Sequence, residues 1–284
     1  MFEATTAAAE ILTGAGFDAE DARFDASVLA RHILGWSLTD WAVRSREAAP
    51  AGFETPLLTL ARRRATHEPV AYITGVREFY GREFRVSPAV LIPRPETEGL
   101  VEAALADAVQ GPGSRVLGPT IDIVDVGTGS GCLAITLALE MPNARVMASD
   151  ISPEALTMAR ATAAALGARV EFVESSLIPA GVVADLIVSN PPYVPERDRA
   201  SLSVDVRNFE PAGALFAGAD GLDVIRLLVP AARQALKPGG RLLMEIGHGQ
   251  ADAVTGLVTN AGLKLEGIRP DLQGIPRIVI ARKP

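Results

Sequence analysis

From residue 121 onward the chain alternates short apolar runs with helical patterns, and this alternation leaves few folds open. "IDIVDV" (121–126), "ARVMASD" (144–150), "RVEFVE" (169–174), "ADLIVSN" (184–190) and "GRLLMEIG" (240–247) read as strands. Between them lie "SGCLAITLALEM", "SPEALTMARATAAALG" and a helical stretch over 221–236, followed by a helix over 249–261 and two terminal strands, "KLEGIR" and "RIVIAR". A strand apolar on both faces must be covered on both faces, so the pattern predicts an α/β fold with a mostly parallel seven-stranded sheet between helices. Ligands of such sheets bind at the carboxyl ends of the strands.

Residues 1–72 read differently. "TTAAAEILTGAG" has a threonine able to cap a helix and glycines to stop it, and "DAEDARFDASVLARHILG" places Phe24, Val28, Leu29 and Ile33 at helical spacing. "TPLLTLARRRATH" adds a helix with Pro56 in its first turn. Its run Arg62-Arg63-Arg64 reads as a solvated face rather than a docking patch for a partner, because residues 1–72 carry seven basic against ten acidic residues. Residues 73–92, with Phe79, Tyr80, Gly81 and Phe84, suit a β-hairpin linker. The expected division is thus a helical domain at 1–72, a linker at 73–92 and an α/β domain at 93–284. "QGPGSRVLGPT" (110–120) reads as a loop.

Of the 284 residues, 48% are hydrophobic and 21% charged, with a net charge of -7. This composition supports a large core and argues against broad phosphate-driven binding of nucleic acid. The single cysteine, Cys132, rules out an internal disulfide or a cysteine-cluster metal site, so no metal is expected. The opening "MFEATTAAAE" lacks a secretory pattern, and no apolar run approaches the length of a membrane span. The expectation is a cytoplasmic protein with no membrane partner.

"VDVGTGSGCLA" places Gly127, Gly129 and Gly131 between a strand and a helix, and Asp150 ends the next strand nineteen residues after Gly131. Glycines there permit a tight turn and close approach of a ligand, and an acid at the second strand end can accept both hydroxyls of a ribose. A purely structural turn is the bland alternative. The spacing is Gly-x-Gly-x-Gly, not that of dinucleotide sites. Asp125, two residues before the loop, can face an ammonium group, which leans the reading toward S-adenosyl-L-methionine.

The fourth strand ends in Asn190-Pro191-Pro192-Tyr193. The Asn190 amide oxygen and the Pro191 carbonyl supply two acceptors able to grip a planar –NH2 group, and Tyr193 can stack on it. The bland alternative is a strand-ending turn. Arg94 and Glu96 of "PRPETE" fit a cavity wall or a helix start capped by Thr97 or Glu98. His32, His67 and His248 read as structural.

Taken with "EPVAYITGVREFYG", "VLIPRPETE", "FEPAGALFAGADGLD" and "LKPGGRLLMEIGHGQ", these motifs make the chain resemble, along essentially its whole length, the bacterial release-factor glutamine methyltransferases of the PrmC/HemK family. The resemblance implies methylation of the side-chain amide of the glutamine in the Gly-Gly-Gln motif of class I peptide chain release factors. S-adenosyl-L-methionine would be the donor and S-adenosyl-L-homocysteine the product. It implies a class I, Rossmann-like methyltransferase domain and a helical domain that recognises the protein partner. The donor's methionine moiety would lie on Gly127, Thr128, Gly129, Ser130 and Gly131, its ribose on Asp150 and its adenine near Ser176 and Leu177. The substrate would lie on Asn190, Pro191, Pro192 and Tyr193, with Asn190 also beside the donor. Two departures stand out: Ser176 occupies a place where many members carry an acid, and Ile275-Pro276 replaces a polar-charged pair. The alternatives are a ribosomal-protein glutamine methyltransferase, a nucleic-acid adenine N6-methyltransferase, which needs a basic groove this composition lacks, and a non-catalytic binding module.

Overall fold

The computed structural model describes residues 1–110 and 120–284, and the chain divides into two compact units. The segment read as a loop at 110–120 lies, apart from its two end residues, outside the described residues.

The first unit comprises Met1–Val76 together with Ser203–Phe209. It contains α1 (Phe2–Gly14), α2 (Ala19–Leu34), α3 (Leu38–Arg44), α4 (Glu54–Arg64), α5 (Val70–Thr74) and, much later in the chain, α9 (Val204–Phe209). Asp18 caps α2 through the Glu20 N–H, and Ser37 with Asp40 forms a capping box on α3. The threonines of α1 do not cap it: the helix starts at Phe2, and Thr5 and Thr6 donate back to carbonyls of the preceding turn. The buried stripe of α2 is Ala22, Ala26, Leu29 and Ala30, whereas Phe24 is exposed. Alanines offer less apolar area than the spacing of larger residues suggested, but they let neighbouring helices approach closely.

The run Arg62-Arg63-Arg64 is not one solvated face. Arg62 and Arg63 are exposed, but Arg64 is buried. Its Nε donates to Asp25 Oδ2 at 2.6 Å and its Nη1 to Asp205 Oδ2 at 2.6 Å, and its guanidinium stacks on Phe17. Desolvation raises the Asp25 carboxyl above its usual range, so the arginine is what keeps two neighbouring acids tolerable. We expect Arg64→Ala to destabilise this unit by about 3 kcal/mol, since removing one partner leaves buried charge uncompensated. Denaturant unfolding followed at Trp36 and Trp41, which lie in this unit, measures it.

The second unit comprises Arg77–Leu202 and Glu210–Pro284. It opens with a two-stranded ribbon, β1 (Val76–Phe79) and β2 (Arg82–Arg85), turned by Tyr80 and Gly81 at φ 51° and 72°. Phe79 and Phe84 pack edge to face inside the core. Then follow α6 (Glu98–Gln110), β3 (Asp122–Val126), α7 (Cys132–Glu140), β4 (Arg145–Asp150), α8 (Pro153–Leu166), β5 (Val170–Glu174) and β6 (Ala184–Ser189). After the α9 excursion come α10 (Ala212–Leu215), α11 (Asp223–Ala235), β7 (Leu236–Glu245), α12 (Ala251–Asn260), β8 (Lys264–Pro270) and β9 (Pro276–Arg282).

The seven strands β3 to β9 form one sheet in the order β5-β4-β3-β6-β7-β9-β8, parallel except for β9, which runs antiparallel to both neighbours. The period-2 geometry of a strand divides each apolar run between the faces. Ile123, Leu186, Val188 and Leu243 join one core with α6 and α7; Val124, Ile187, Leu242 and Met244 join the other with α11 and α12. The chain leaves β3 toward β5 on one side and returns to β6 on the other. The carboxyl ends of β3 and β6 therefore part at a topological switch point, where a crevice opens.

Candidate active site

A cavity of about 600 Å³ occupies that crevice in the second unit. The glycine loop leaves β3 at its edge. Gly127 and Thr128 donate their N–H groups to the Ser149 carbonyl at 2.9 Å each, folding the loop over the end of β4. Gly127, Gly129 and Gly131 all have positive φ, at 72°, 55° and 84°. Their reasons differ. A Cβ at Gly127 or Gly129 would stand in open space, and both line the cavity with Thr128 and Ser130. A Cβ at Gly131 would lie 2.7 Å from Ile135 Cδ1, so this glycine serves the packing of α7 and is not in the cavity wall.

Asp125 is also outside the wall. It lies fully buried beneath the loop, its Oδ2 accepting from Thr128 Oγ1 at 2.6 Å and from Ala134 N at 3.2 Å. It ties the loop to the first turn of α7, and the expectation that it faces an ammonium group gives way to this role. Its Oδ1 has no hydrogen-bond partner. Burial, helped by the Asp150 charge, pushes its carboxyl from 3.8 up to about 7. The unfolded carboxyl ionises near its ordinary value while the folded one holds its proton to about 7. The folded state therefore binds more protons in that window, and stability falls as pH rises through it. We expect a slope of up to about 1.4 kcal/mol per pH unit between pH 4 and 7. Asp125→Asn should remove that component, as read by the pH dependence of chemical unfolding.

Asp150 does face the cavity. Its Oδ2 accepts the Gly129 N–H at 2.8 Å and its Oδ1 the Ser152 N–H at 2.9 Å. These bonds hold the carboxylate plane still and leave each oxygen a further lone pair. Ser152 caps α8, which anchors the neighbouring turn. Ser176 and Leu177, beyond β5, line the same cavity.

Across the cavity, Asn190 follows the last residue of β6 and lines the wall with Pro191 and Pro192. Its Nδ2 donates to Thr97 Oγ1 at 2.9 Å, and Thr97 Oγ1 donates in turn to Glu245 Oε2 at 2.8 Å. Tyr193 turns away from the cavity, contrary to a stacking role: its hydroxyl donates to Glu245 Oε1 at 3.0 Å and its ring packs on the sheet core. Burial and the adjacent Glu245 charge raise the Tyr193 phenol well above its usual range, so it stays protonated. Desolvation raises the Glu245 carboxyl, opposed by the two hydroxyls and by Arg277.

The turn's backbone is held from below. Gln250, buried, donates Nε2 to the carbonyls of Tyr193, Asp220 and Gly221 at 3.0–3.3 Å, while its Oε1 accepts the Gly247 N–H at 2.8 Å. Arg94 lines the cavity and pairs with buried Glu210, whose other oxygen accepts the Ile92 N–H. Thr97 caps no helix; its hydroxyl is committed to Asn190 and Glu245. Sequence reasoning missed Thr97 in this capacity, and missed Glu210, Glu245 and Gln250. The one available signal was an acid, Glu245, inside the apolar run "LLMEIG".

A seven-stranded sheet with this order, a glycine loop over β3, an acid ending β4 and Asn-Pro-Pro-Tyr after β6 make the protein a class I methyltransferase. Comparison with known proteins agrees. Residues 3–75 match the PrmC N-terminal domain and residues 112–216 the methyltransferase small domain. A release factor glutamine methyltransferase of Cereibacter sphaeroides is 43% identical over 291 residues, spanning 99% of this chain and 98% of that one. One from Koribacter versatilis is 52% identical over 226 residues, 78% of this chain and 77% of its own length. A methyltransferase structure from Pyrococcus furiosus, 16% identical, shares the fold with a TM-score of 0.55 over 78% of this chain and 98% of that chain. The chain belongs to the release factor glutamine methyltransferase family. No helix among the described residues is long and apolar enough to cross a membrane.

Proposed function

We propose that the protein methylates the side-chain amide nitrogen of the glutamine in the Gly-Gly-Gln motif of class I peptide chain release factors, in the cytoplasm, with S-adenosyl-L-methionine as donor. The observation that carries this reading is the orientation of Asn190: with Nδ2 bonded to Thr97, its Oδ1 is the group left to meet a guest in the cavity.

The cavity's residues fit the donor. Open space over Gly127 and Gly129 leaves the loop backbone accessible, and the N-terminus of α7 behind it favours a carboxylate. The fixed Asp150 carboxylate suits two ribose hydroxyls, and Ser176 with Leu177 would border the adenine. Bound S-adenosyl-L-methionine supplies an electrophilic methyl group on a sulfonium. The protein's own task is to hold the acceptor. A primary amide nitrogen is a poor nucleophile because its lone pair is delocalised into the carbonyl. Asn190 Oδ1 accepts one of its N–H groups and the Pro191 carbonyl the other, fixing the nitrogen on the line of attack, where orientation is worth up to roughly 7–11 kcal/mol. One N–H proton leaves after the transfer, from a nitrogen that alkylation has made strongly acidic, so no strong base is needed. The helical unit would dock the release factor, with no nucleic acid directly involved.

A labelled-methyl assay with purified release factor tests this. Label on the wild-type factor, and none on a Gly-Gly-Ala version, is the expected result. Label on nucleic acid or a ribosomal protein, with none on the factor, overturns it.

A further inference from the structure

We propose that Thr97 and Glu245 are positioning residues which, by a one-way relay of hydrogen bonds, lock the Asn190 amide with its oxygen toward the substrate. The relay rests on the amide-methylation reading above and explains how the grip is given its polarity.

An asparagine side chain is nearly symmetric in shape but opposite in function at its two ends. With oxygen toward the guest it accepts from an –NH2 group; flipped by 180° it would set its own –NH2 against the substrate's and repel it. Shape alone does not distinguish the two. The neighbours do. Glu245 is 2% exposed, and both of its carboxyl oxygens are placed as acceptors. Two hydroxyls point at it, Thr97 Oγ1 at 2.8 Å and Tyr193 Oη at 3.0 Å, one on each oxygen. The single proton of the Thr97 hydroxyl is thereby committed to Glu245. Thr97 Oγ1 can then only accept from its other neighbour, and Asn190, 2.9 Å away, must present Nδ2 to it. Oδ1 is left for the cavity. Thr97 is itself 2% exposed, so water does not compete for the link. The same carboxylate holds the hydroxyl of Tyr193, three residues on, so one buried acid orients both ends of the Asn-Pro-Pro-Tyr turn.

The test is a set of variants assayed for methyl transfer to the release factor and for binding of factor and donor. Thr97→Val keeps the side chain's shape and removes the hydroxyl. We expect it to lower kcat by 10- to 100-fold, with KM for the factor and donor Kd nearly unchanged and a fall in Tm of a few degrees from the unpaired polar groups. Thr97→Ser restores the hydroxyl and should recover turnover to within about threefold of wild type. Placed on Asn190→Ala, Thr97→Val should change kcat less than twofold, because the residue it acts through is gone. Glu245→Gln, which can donate to Thr97 and so release its proton toward Asn190, tests the polarity separately and should also lower kcat at unchanged donor affinity. Wild-type kcat in both Thr97→Val and Glu245→Gln overturns the relay, as does an equal loss on the Asn190→Ala background or a Thr97→Ser enzyme as slow as Thr97→Val. The wild-type control separates the two readings: no label on the factor from wild type overturns the substrate assignment, whereas equal label from wild type and variants overturns the relay alone.

Discussion

Asn190→Ala should lower turnover by about 10²–10³ while donor affinity stays within about twofold. The magnitude is that of losing one preorganised hydrogen-bonding group aimed at the reacting atoms. The direction follows from placement: Asn190 lies in the cavity wall opposite the glycine loop and Asp150, and its Nδ2 is tied to buried Thr97, so truncation removes an acceptor without loosening the donor's side of the cavity. Single-turnover methyl transfer measures the first quantity and calorimetric titration with the donor the second. Wild-type turnover in the variant would rule out the amide grip. Asn190→Asp sharpens the experiment, because it keeps an acceptor but puts two oxygens where one must meet Thr97, whose only proton is already given to Glu245.

The second large effect is expected at Gly221, within "FEPAGALFAGADGLD" and 31 residues beyond Asn190. A Cβ there would collide with the backbone carbonyl of Tyr193 and come within 2.9 Å of Gln250 Nε2, and the residue sits at φ +77°. Backbone cannot move aside as a flexible side chain can. Gly221→Ala should therefore cost about 3 kcal/mol, combining a left-handed conformation with an overpacked contact. Because the displaced atom belongs to the Asn190–Tyr193 turn, kcat should fall by at least tenfold as well. Chemical unfolding and steady-state kinetics on the same preparation check both. A stable Gly221→Ala enzyme of normal kcat would mean that the turn is held elsewhere.

What could be read without coordinates was whatever depends on local backbone or on a strict period. The strands were legible because residues such as Leu186 and Ile187 are apolar on both faces, and the glycine loop because only glycine suits three successive positive φ values at alternate positions. Asp150 and Asn190 were legible because one ends a strand and the other directly follows one. Long-range pairing was not. Thr97 and Glu245 are 148 positions apart, and nothing in "PRPETE" says that its threonine serves a strand near the other end of the chain. The same ignorance misread Arg64 as solvated, since its partner Asp205 is 141 residues away. Asp125 and Tyr193 were placed correctly along the chain but on the wrong side of their own backbone, because burial decides which way a side chain turns.

Ser203–Phe209 is counted with the N-terminal helices although it comes from the middle of the catalytic half. The chain passes between the two units three times, at 76, 202 and 209. No single cut therefore yields two modules. A fragment beginning at residue 77 would carry α9 with Asp205 stripped of Arg64, tethered between the Asn-Pro-Pro-Tyr turn and Glu210. Exchanging the helical unit among methyltransferases would have to move two separate pieces of gene at once, which makes this enzyme's pairing of units harder to rearrange than its linear order suggests.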